Sequence, residues 1–168
     1  PTIKALAEAG ARVLVISHFG RPKGQHNPEM SLEPLGQPLA NLTQLPVSYI
    51  DDCIGEEVLE VIDAMEDGSV LLLENLRFYA EETDNDAEFA ASLAQNADFY
   101  VNDAFSCCHR AHASTVGIAN ILPSAAGLAL EKELLALEGA LGNPVHPVAA
   151  LVGGAKVSTK LDVLTNLV

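Results

Sequence analysis

Residues 12–24 read RVLVISHFGRPKG. The first six, Arg12 to Ser17, form a β-branched apolar run. It is too short for a helix and lacks the polar alternation of a half-exposed strand, so it reads as a strand buried on both faces. The next seven, His18 to Gly24, are punctuated by Gly and Pro and read as a loop. A buried strand that runs into a cationic loop is the building unit of a parallel α/β sheet. The chain repeats that unit. Ser69 to Leu73 (SVLLL) is followed by Glu74-Asn75-Leu76-Arg77-Phe78, and Asp98 to Val101 (DFYV) by NDAFSCCHRAH. Pro147 to Val152 (PVAALV) is followed by Gly153-Gly154-Ala155-Lys156. Val47 to Ile50 is a further short strand.

Helical patterns fill the intervals. Thr2 to Ala9 has Pro1 at its start and Gly10 at its stop. Ser31 to Leu45 is expected to be helical with Ser31 as N-cap, although Pro38 is awkward inside it. Glu56 to Glu66 places Val58, Leu59, Val61, Ile62 and Met65 on one face and is closed by Gly68. Asp86 to Asn96 is Ala-rich. Leu128 to Leu141 ends at Gly142, and a last helix is expected from Ser158 onward. The alternation predicts an α/β fold, a doubly wound parallel sheet with helices on both faces. The Pro-rich stretch Gly142 to Val148 is the one plausible boundary, and the final 20 or so residues read as the opening βα unit of a second domain.

The 168 residues suit one domain, or one domain and a piece of another. The chain starts at Pro1 and ends at Val168 inside an apolar periodic stretch, so it is expected to be part of something larger. At 49% hydrophobic and 19% charged residues it is not a disordered tail. The net charge is −14, from 23 acids against 9 bases. That excludes the basic face of a nucleic-acid coat or an anionic-membrane binder, so neither nucleic acid nor membrane is an expected partner. No secretory leader is visible. Cys53, Cys107 and Cys108 are an odd, sparse set rather than a disulfide framework, and a reducing, cytoplasmic compartment is expected.

Six of the nine bases (Arg21, Lys23, Arg77, Arg110, Lys156 and Lys160) fall in, or one turn beyond, a loop that follows a strand. In an open α/β sheet those loops line the ligand crevice. Chance is the competing explanation, since loops hold charges anyway. The functional reading is a basic crevice in an acidic body that draws in a small anion. Arginine suits bidentate contact with phosphate or carboxylate. His18 and Arg21 share one tight turn around Gly20. Gly153-Gly154-Ala155-Lys156 is a glycine-rich strand-to-helix turn of the kind that admits a phosphate, but it is not a Walker A motif. Lys160 sits one turn along from Lys156. Cys107, Cys108, His109 and His112 lack structural-zinc spacing, so no metal site is expected there and the cysteines read as small packing residues. Asp103 reads as turn chemistry. Together these point to a phosphorylated anion and to phosphoryl transfer, which relies on positioning and cationic stabilisation.

The segments SHFGRPKG (17–24), LLLENLRF (71–78), YVNDAFSCCHRAHASTVG (100–117), LEKEL (130–134) and GGAKVSTKLDVL (153–164) resemble phosphoglycerate kinase, in that family's order. The resemblance implies a Rossmann-like N-terminal 3-phosphoglycerate-binding domain over 1–127, lacking its first strand. An interdomain helix and linker would span 128–145, and the start of the nucleotide-binding domain 146–168. It implies transfer of a phosphoryl group between 1,3-bisphosphoglycerate and ADP, giving 3-phosphoglycerate and ATP with Mg2+, in a glycolytic monomer. His18, Phe19, Gly20, Arg21, Arg77 and Arg110 then correspond to substrate contacts. Lys156 resembles the catalytic lysine, and Lys160, Gly153 and Gly154 correspond to nucleotide contacts. The family's opening Asp, Asn and a further catalytic arginine have no counterpart in this chain, so the chain alone is expected to be inactive. A non-catalytic 3-phosphoglycerate-binding module and a purely structural remnant are the alternatives. Where the family has a Gly-Thr-Ala-like stretch before HRAH, this chain has Ser106-Cys107-Cys108. Loss of that glycine is expected to alter the loop near Arg110, and the neighbouring thiols to be oxidisable.

Overall fold

The computed structural model describes residues 1–142 together with 144, 147 and 149. The chain divides into two compact units, Pro1–Leu130 and Glu131–Val168. In the first, the order is α1 (Thr2–Glu8), β1 (Val13–Val15), α2 (Gly36–Thr43), β2 (Val47–Tyr49), α3 (Glu56–Asp63), β3 (Val70–Leu72), α4 (Ala80–Asp84), α5 (Ala87–Ala94), β4 (Tyr100–Asn102) and β5 (Ser124–Ala126). Helix α6 (Leu128–Leu137) begins there, and a π-type turn, Glu138–Gly142, follows it in the second unit. The strand expected over 147–152 lies outside the described residues apart from Pro147 and Ala149, and the helix expected after Ser158 lies wholly outside them.

Every strand pairing among the described residues is parallel. β3 lies between β1 and β2, with Val70 opposite both Val13 and Val47. β4 pairs with β5, Tyr100 opposite Ser124. All three residues of β3 are buried, as its uninterrupted apolar run requires. The alternation of side chains then covers both faces of the sheet. Val13 and Val70 pack with Ala7 of α1, flanked by Val15 and Val47. Leu71 packs with Val58 and Ile62 of α3 and with Phe89 and Leu93 of α5, flanked by Leu14 and Ile16. Helices therefore cover both faces, in the doubly wound arrangement expected from the sequence. Burial of a Leu or Val side chain contributes about 1.5–3 kcal/mol, so the two clusters carry most of the fold's stability.

Two local expectations change, and one strand, β5, appears where none was expected. The expected Ser31–Leu45 helix is broken into two 3-10 turns, Pro28–Met30 and Glu33–Leu35, ahead of α2. Ser31 caps no long helix. Its Oγ accepts from the Glu33 N–H at 3.1 Å and donates to Glu74 at 2.6 Å. Pro38 becomes the third residue of α2, where its missing N–H costs no intrahelical bond. Strand β5 is exposed, and its Ser-Ala-Ala sequence carries no β-branched signal. Asp103 does more than turn chemistry. It accepts from Thr2 Oγ1 at 2.6 Å and from the N–H groups of Ala129 and Leu130 at 2.8 and 2.9 Å, so it caps α6 and ties it to α1. These donors outweigh the upward push of burial and hold its carboxyl below the usual value. A Cβ on Gly127 would meet that carboxylate at 2.5 Å.

Glu74, 3% exposed, follows β3 directly and accepts four hydrogen bonds: from Ser31 Oγ, the Leu32 N–H, Tyr49 Oη and the Asn75 N–H, at 2.6–2.7 Å. Burial alone would raise its carboxyl, but these donors outweigh burial and hold it below 4.5. Tyr49 is pushed up to about 12 by its own burial and by the bond to Glu74. Glu74→Ala strands several buried donors and is expected to cost about 3 kcal/mol or more in urea unfolding at neutral pH. Because the folded value is depressed, the carboxylate's stabilisation is present above 4.5 and lost as pH falls through the folded value. The gap between wild type and Glu74→Ala is therefore expected to narrow in acid. A gap that stays constant with pH would show that the charge of Glu74 does not matter.

Candidate anion-binding site

The parallel register brings the loops after β1 and β3 to one sheet edge, and buried polar groups join them. Asn75, 1% exposed, accepts from the N–H groups of Phe19 and Arg77 at 3.2 and 3.1 Å. Its amide donates to the carbonyls of Phe19 and Met30, both at 2.8 Å. The Gly24 N–H donates to the Arg77 carbonyl at 3.3 Å, and Arg77 Nη1 to the Gly20 carbonyl at 2.7 Å. Gly20 and Gly24 sit at φ +64° and +71°. A Cβ on Gly20 would meet Met30 Sδ at 2.7 Å, and one on Gly24 would meet Ala80 Cβ at 2.7 Å. Both positions favour glycine for conformation, and Gly24 also for space, because the backbone of Ala80 lies against it.

The loop after β4 is held from below. Glu82 is fully buried and accepts from the Ser114 N–H and Oγ at 2.9 and 2.6 Å. His112 Nδ1 lies 3.3 Å from the same carboxylate. The Arg110 carbonyl accepts from Thr115 Oγ1 at 2.7 Å, and the Arg110 N–H donates to the Cys107 carbonyl at 3.0 Å. Arg110 thus enters the site on a backbone fixed at both sides.

These loops enclose a cleft of about 540 Å3 lined by Arg21, Lys23, Arg77, Arg110 and His112, with Tyr79, Thr83, Pro22, Gly24 and Ala80. None of these lining residues is an acid. Burial first, then the charges of Arg77, Arg110 and His112, holds His18 below its ordinary 6.5. Burial and Arg110 likewise lower Arg77, with Glu82 partly opposing. Cations pressed together in a partly desolvated cleft repel one another, and a bound anion relieves that repulsion. The arrangement suits an anion with more than one charged end, since guanidinium groups grip phosphate and carboxylate in planar, paired fashion.

Arg21, Arg77 and Arg110 come together as expected, and His18 lies within electrostatic reach of the latter two. Gly20 supplies a carbonyl to Arg77 as well as its turn. Phe19 is tied through its backbone to Asn75, and the residue is 53% exposed. Lys23 and His112 join the cleft. Lys156, Lys160, Gly153 and Gly154 lie outside the described residues. The sequence pattern alone assigned no role to Asn75, Glu74 or Glu82. Polar residues directly after the all-apolar run 70–73 were the available signal for the first two, and nothing local marks Glu82. Among the described residues, no three His, Cys, Asp or Glu side chains come together as a metal site. Cys108 is exposed rather than packed, because the loop carries it away from the core, while Cys107 is half-buried.

NMR titration of the His18 ring in the free chain is expected to give a midpoint below 6.5. Saturation with sulfate is expected to raise it, because an anion beside the ring favours the protonated form. A midpoint that sulfate leaves unchanged would place His18 outside the site.

The phosphoglycerate kinase family model matches residues 1–168. The phosphoglycerate kinase of Zymomonas mobilis subsp. mobilis is 61% identical over the whole chain, and that of Caulobacter vibrioides 56% identical. The chain spans 42% of the length of each. Among solved structures, phosphoglycerate kinase from Coxiella burnetii matches at 41% identity and TM-score 0.86, over 99% of this chain and 42% of that one. The enzyme from Pyrococcus horikoshii OT3 matches at 36% identity and TM-score 0.86, over 98% of this chain and 42% of that one. A family model that matches from end to end, on a doubly wound parallel fold with a basic cleft, shows that this chain belongs to the phosphoglycerate kinase family.

Proposed function

We propose that this chain supplies the glycerate-holding part of a phosphoglycerate kinase, which moves a phosphoryl group between 1,3-bisphosphoglycerate and ADP to yield 3-phosphoglycerate and ATP. The observation that carries this reading is the convergence of Arg21, Arg77 and Arg110 on one cleft whose lining holds no acid. A phosphorylated three-carbon carboxylate presents anionic groups at both ends, and three guanidinium groups can grip them together. His18, which burial first and then the cleft's cations hold toward the neutral form, serves as a hydrogen-bond donor that can also take a proton when the anion arrives. Lys23 and His112 add positive field. These residues bind and orient, which is most of what phosphoryl transfer asks of a protein.

Nucleotide with Mg2+, when bound, supplies the phosphoryl donor or acceptor and neutralises charge on the phosphates. Lys156 is proposed to stabilise the group in transfer, and Lys160, Gly153 and Gly154 to contact nucleotide phosphates. The same reading gives a glycolytic, cytoplasmic monomer. Among the described residues, no helix is long and apolar enough to cross a membrane.

All residues of the cleft fall between Arg21 and His112, inside the first compact unit. That favours substrate binding by the chain without turnover, since phosphoryl transfer in this reading needs a nucleotide lobe closing on the glycerate lobe. Calorimetry is expected to show saturable 3-phosphoglycerate binding, with no ATP formed in a coupled assay. Arg110→Ala is expected to weaken binding roughly ten- to a hundredfold, the loss of one charge-assisted contact. Absence of saturable binding at millimolar 3-phosphoglycerate would remove the glycerate assignment, and turnover by the chain alone would remove the need for a second lobe.

A further inference from the structure

Cys107 and Cys108 take no part in lining the cleft, yet they sit where they can control it. Both lie on a tight turn. The Cys107 N–H donates to the Ala104 carbonyl at 2.9 Å, and the Cys108 N–H to the Phe105 carbonyl at 3.0 Å. The next bond in the series is the one from the Arg110 N–H to the Cys107 carbonyl at 3.0 Å, so the backbone of Arg110 hangs from Cys107. Neither sulfur is locked by strong partners. Cys108 Sγ lies 3.6 Å from the Ala104 carbonyl and 3.9 Å from Asn102 Oδ1, and Cys107 Sγ lies 3.9 Å from Ser106 Oγ. Cys108 is exposed and Cys107 half-buried, so a small oxidant reaches at least one of them.

We propose that Cys107 and Cys108 form a neighbouring dithiol that hydrogen peroxide oxidises reversibly to a disulfide, and that closing this ring withdraws Arg110 from the anion cleft. The exposed Cys108 thiolate attacks one peroxide oxygen. An S–O bond forms, the O–O bond breaks, and hydroxide leaves to take up the proton that Cys108 gave up. The Cys107 thiolate then attacks the sulfenic sulfur. The S–S bond forms, the S–O bond breaks, and the departing hydroxide takes up the proton from Cys107. Two thiols have lost two electrons, and peroxide has become two waters. Neighbouring Cα atoms are about 3.8 Å apart, closer than the roughly 4.4 Å at which ordinary disulfides begin. Ring closure therefore has to rearrange the turn, and the bond from Arg110 to Cys107 goes with it. A strained disulfide is also readily reduced, which makes the change reversible by thiols.

The test treats the full chain with peroxide, removes the excess, and reads intact mass, non-reducing peptide maps and the His18 titration by NMR. The expected product is a monomer two hydrogens lighter, with Cys107 joined to Cys108 and one free thiol, Cys53, in place of three. Arg110 is among the charges that lower His18, so its withdrawal is expected to move the His18 midpoint up toward 6.5. Dithiothreitol is expected to restore both the mass and the midpoint, and Cys108→Ser to show neither change. Products carrying added oxygen without the bond, a disulfide between two copies, or ring closure that leaves the His18 midpoint in place would each overturn the proposal. Neither readout uses a ligand, so the outcome is independent of whether 3-phosphoglycerate is the natural anion.

Discussion

Four donors converge on the buried carboxylate of Glu74, and the next residue, Asn75, joins the loop after β1 to the loop after β3. This pair of polar residues at the end of the most buried strand is the constraint on which the cleft depends. An acid placed there without partners would cost several kcal/mol, and with four short hydrogen bonds it becomes a rigid anchor. Asn75 then fixes the backbone on both sides of Phe19, and Arg77 is held over the carbonyl of Gly20. The cations of the site are therefore positioned by neutral and anionic groups beneath them. Electrostatics alone would drive those cations apart.

Glu82 plays the matching part under the loop after β4. It is fully buried, and its carboxylate takes the backbone and side chain of Ser114 with His112 beside it. The result is a layered charge arrangement. Acids sit below, fully satisfied, and bases line the opening. Around this lies a chain of net charge −14, which concentrates the attraction for anions in the cleft and repels them elsewhere. Because phosphoryl transfer draws on positioning and charge more than on covalent chemistry, such a surface can serve it without a nucleophile of its own.

The strand-then-loop units of the sequence carry over to β1, β3 and β4; parallel pairing aligns the ends of β1 and β3, while β4 pairs with β5 and brings its loop to the same cleft. Departures come where tertiary contacts outweigh local pattern. The expected Ser31–Leu45 helix breaks because Ser31 and Leu32 are recruited by Glu74, a residue more than forty positions away. Strand β5 forms from Ser-Ala-Ala because β4 offers it a ladder, although nothing in those three side chains favours a strand. Asp103 looked like a turn residue because its partners, Thr2, Ala129 and Leu130, are distant in sequence.

Sequence alone determined the fold class and picked out Arg21, Arg77 and Arg110 as cations in loops that follow strands. Short unbroken apolar runs dictate buried strands, glycine and proline mark the loops between elements, and arginine is the side chain whose charge and planar fork suit phosphate. Which of those arginines meet, and what holds them there, was decided only by the tertiary structure. Arg21, Arg77 and Arg110 are spread over ninety positions and share one cleft because β1 and β3 end side by side in one sheet and the loop after β4, from the separate β4–β5 pair, is held against them. The buried carboxylates of Glu74 and Glu82 are invisible to local reasoning, because an acid reads as solvated until the packed chain surrounds it with donors.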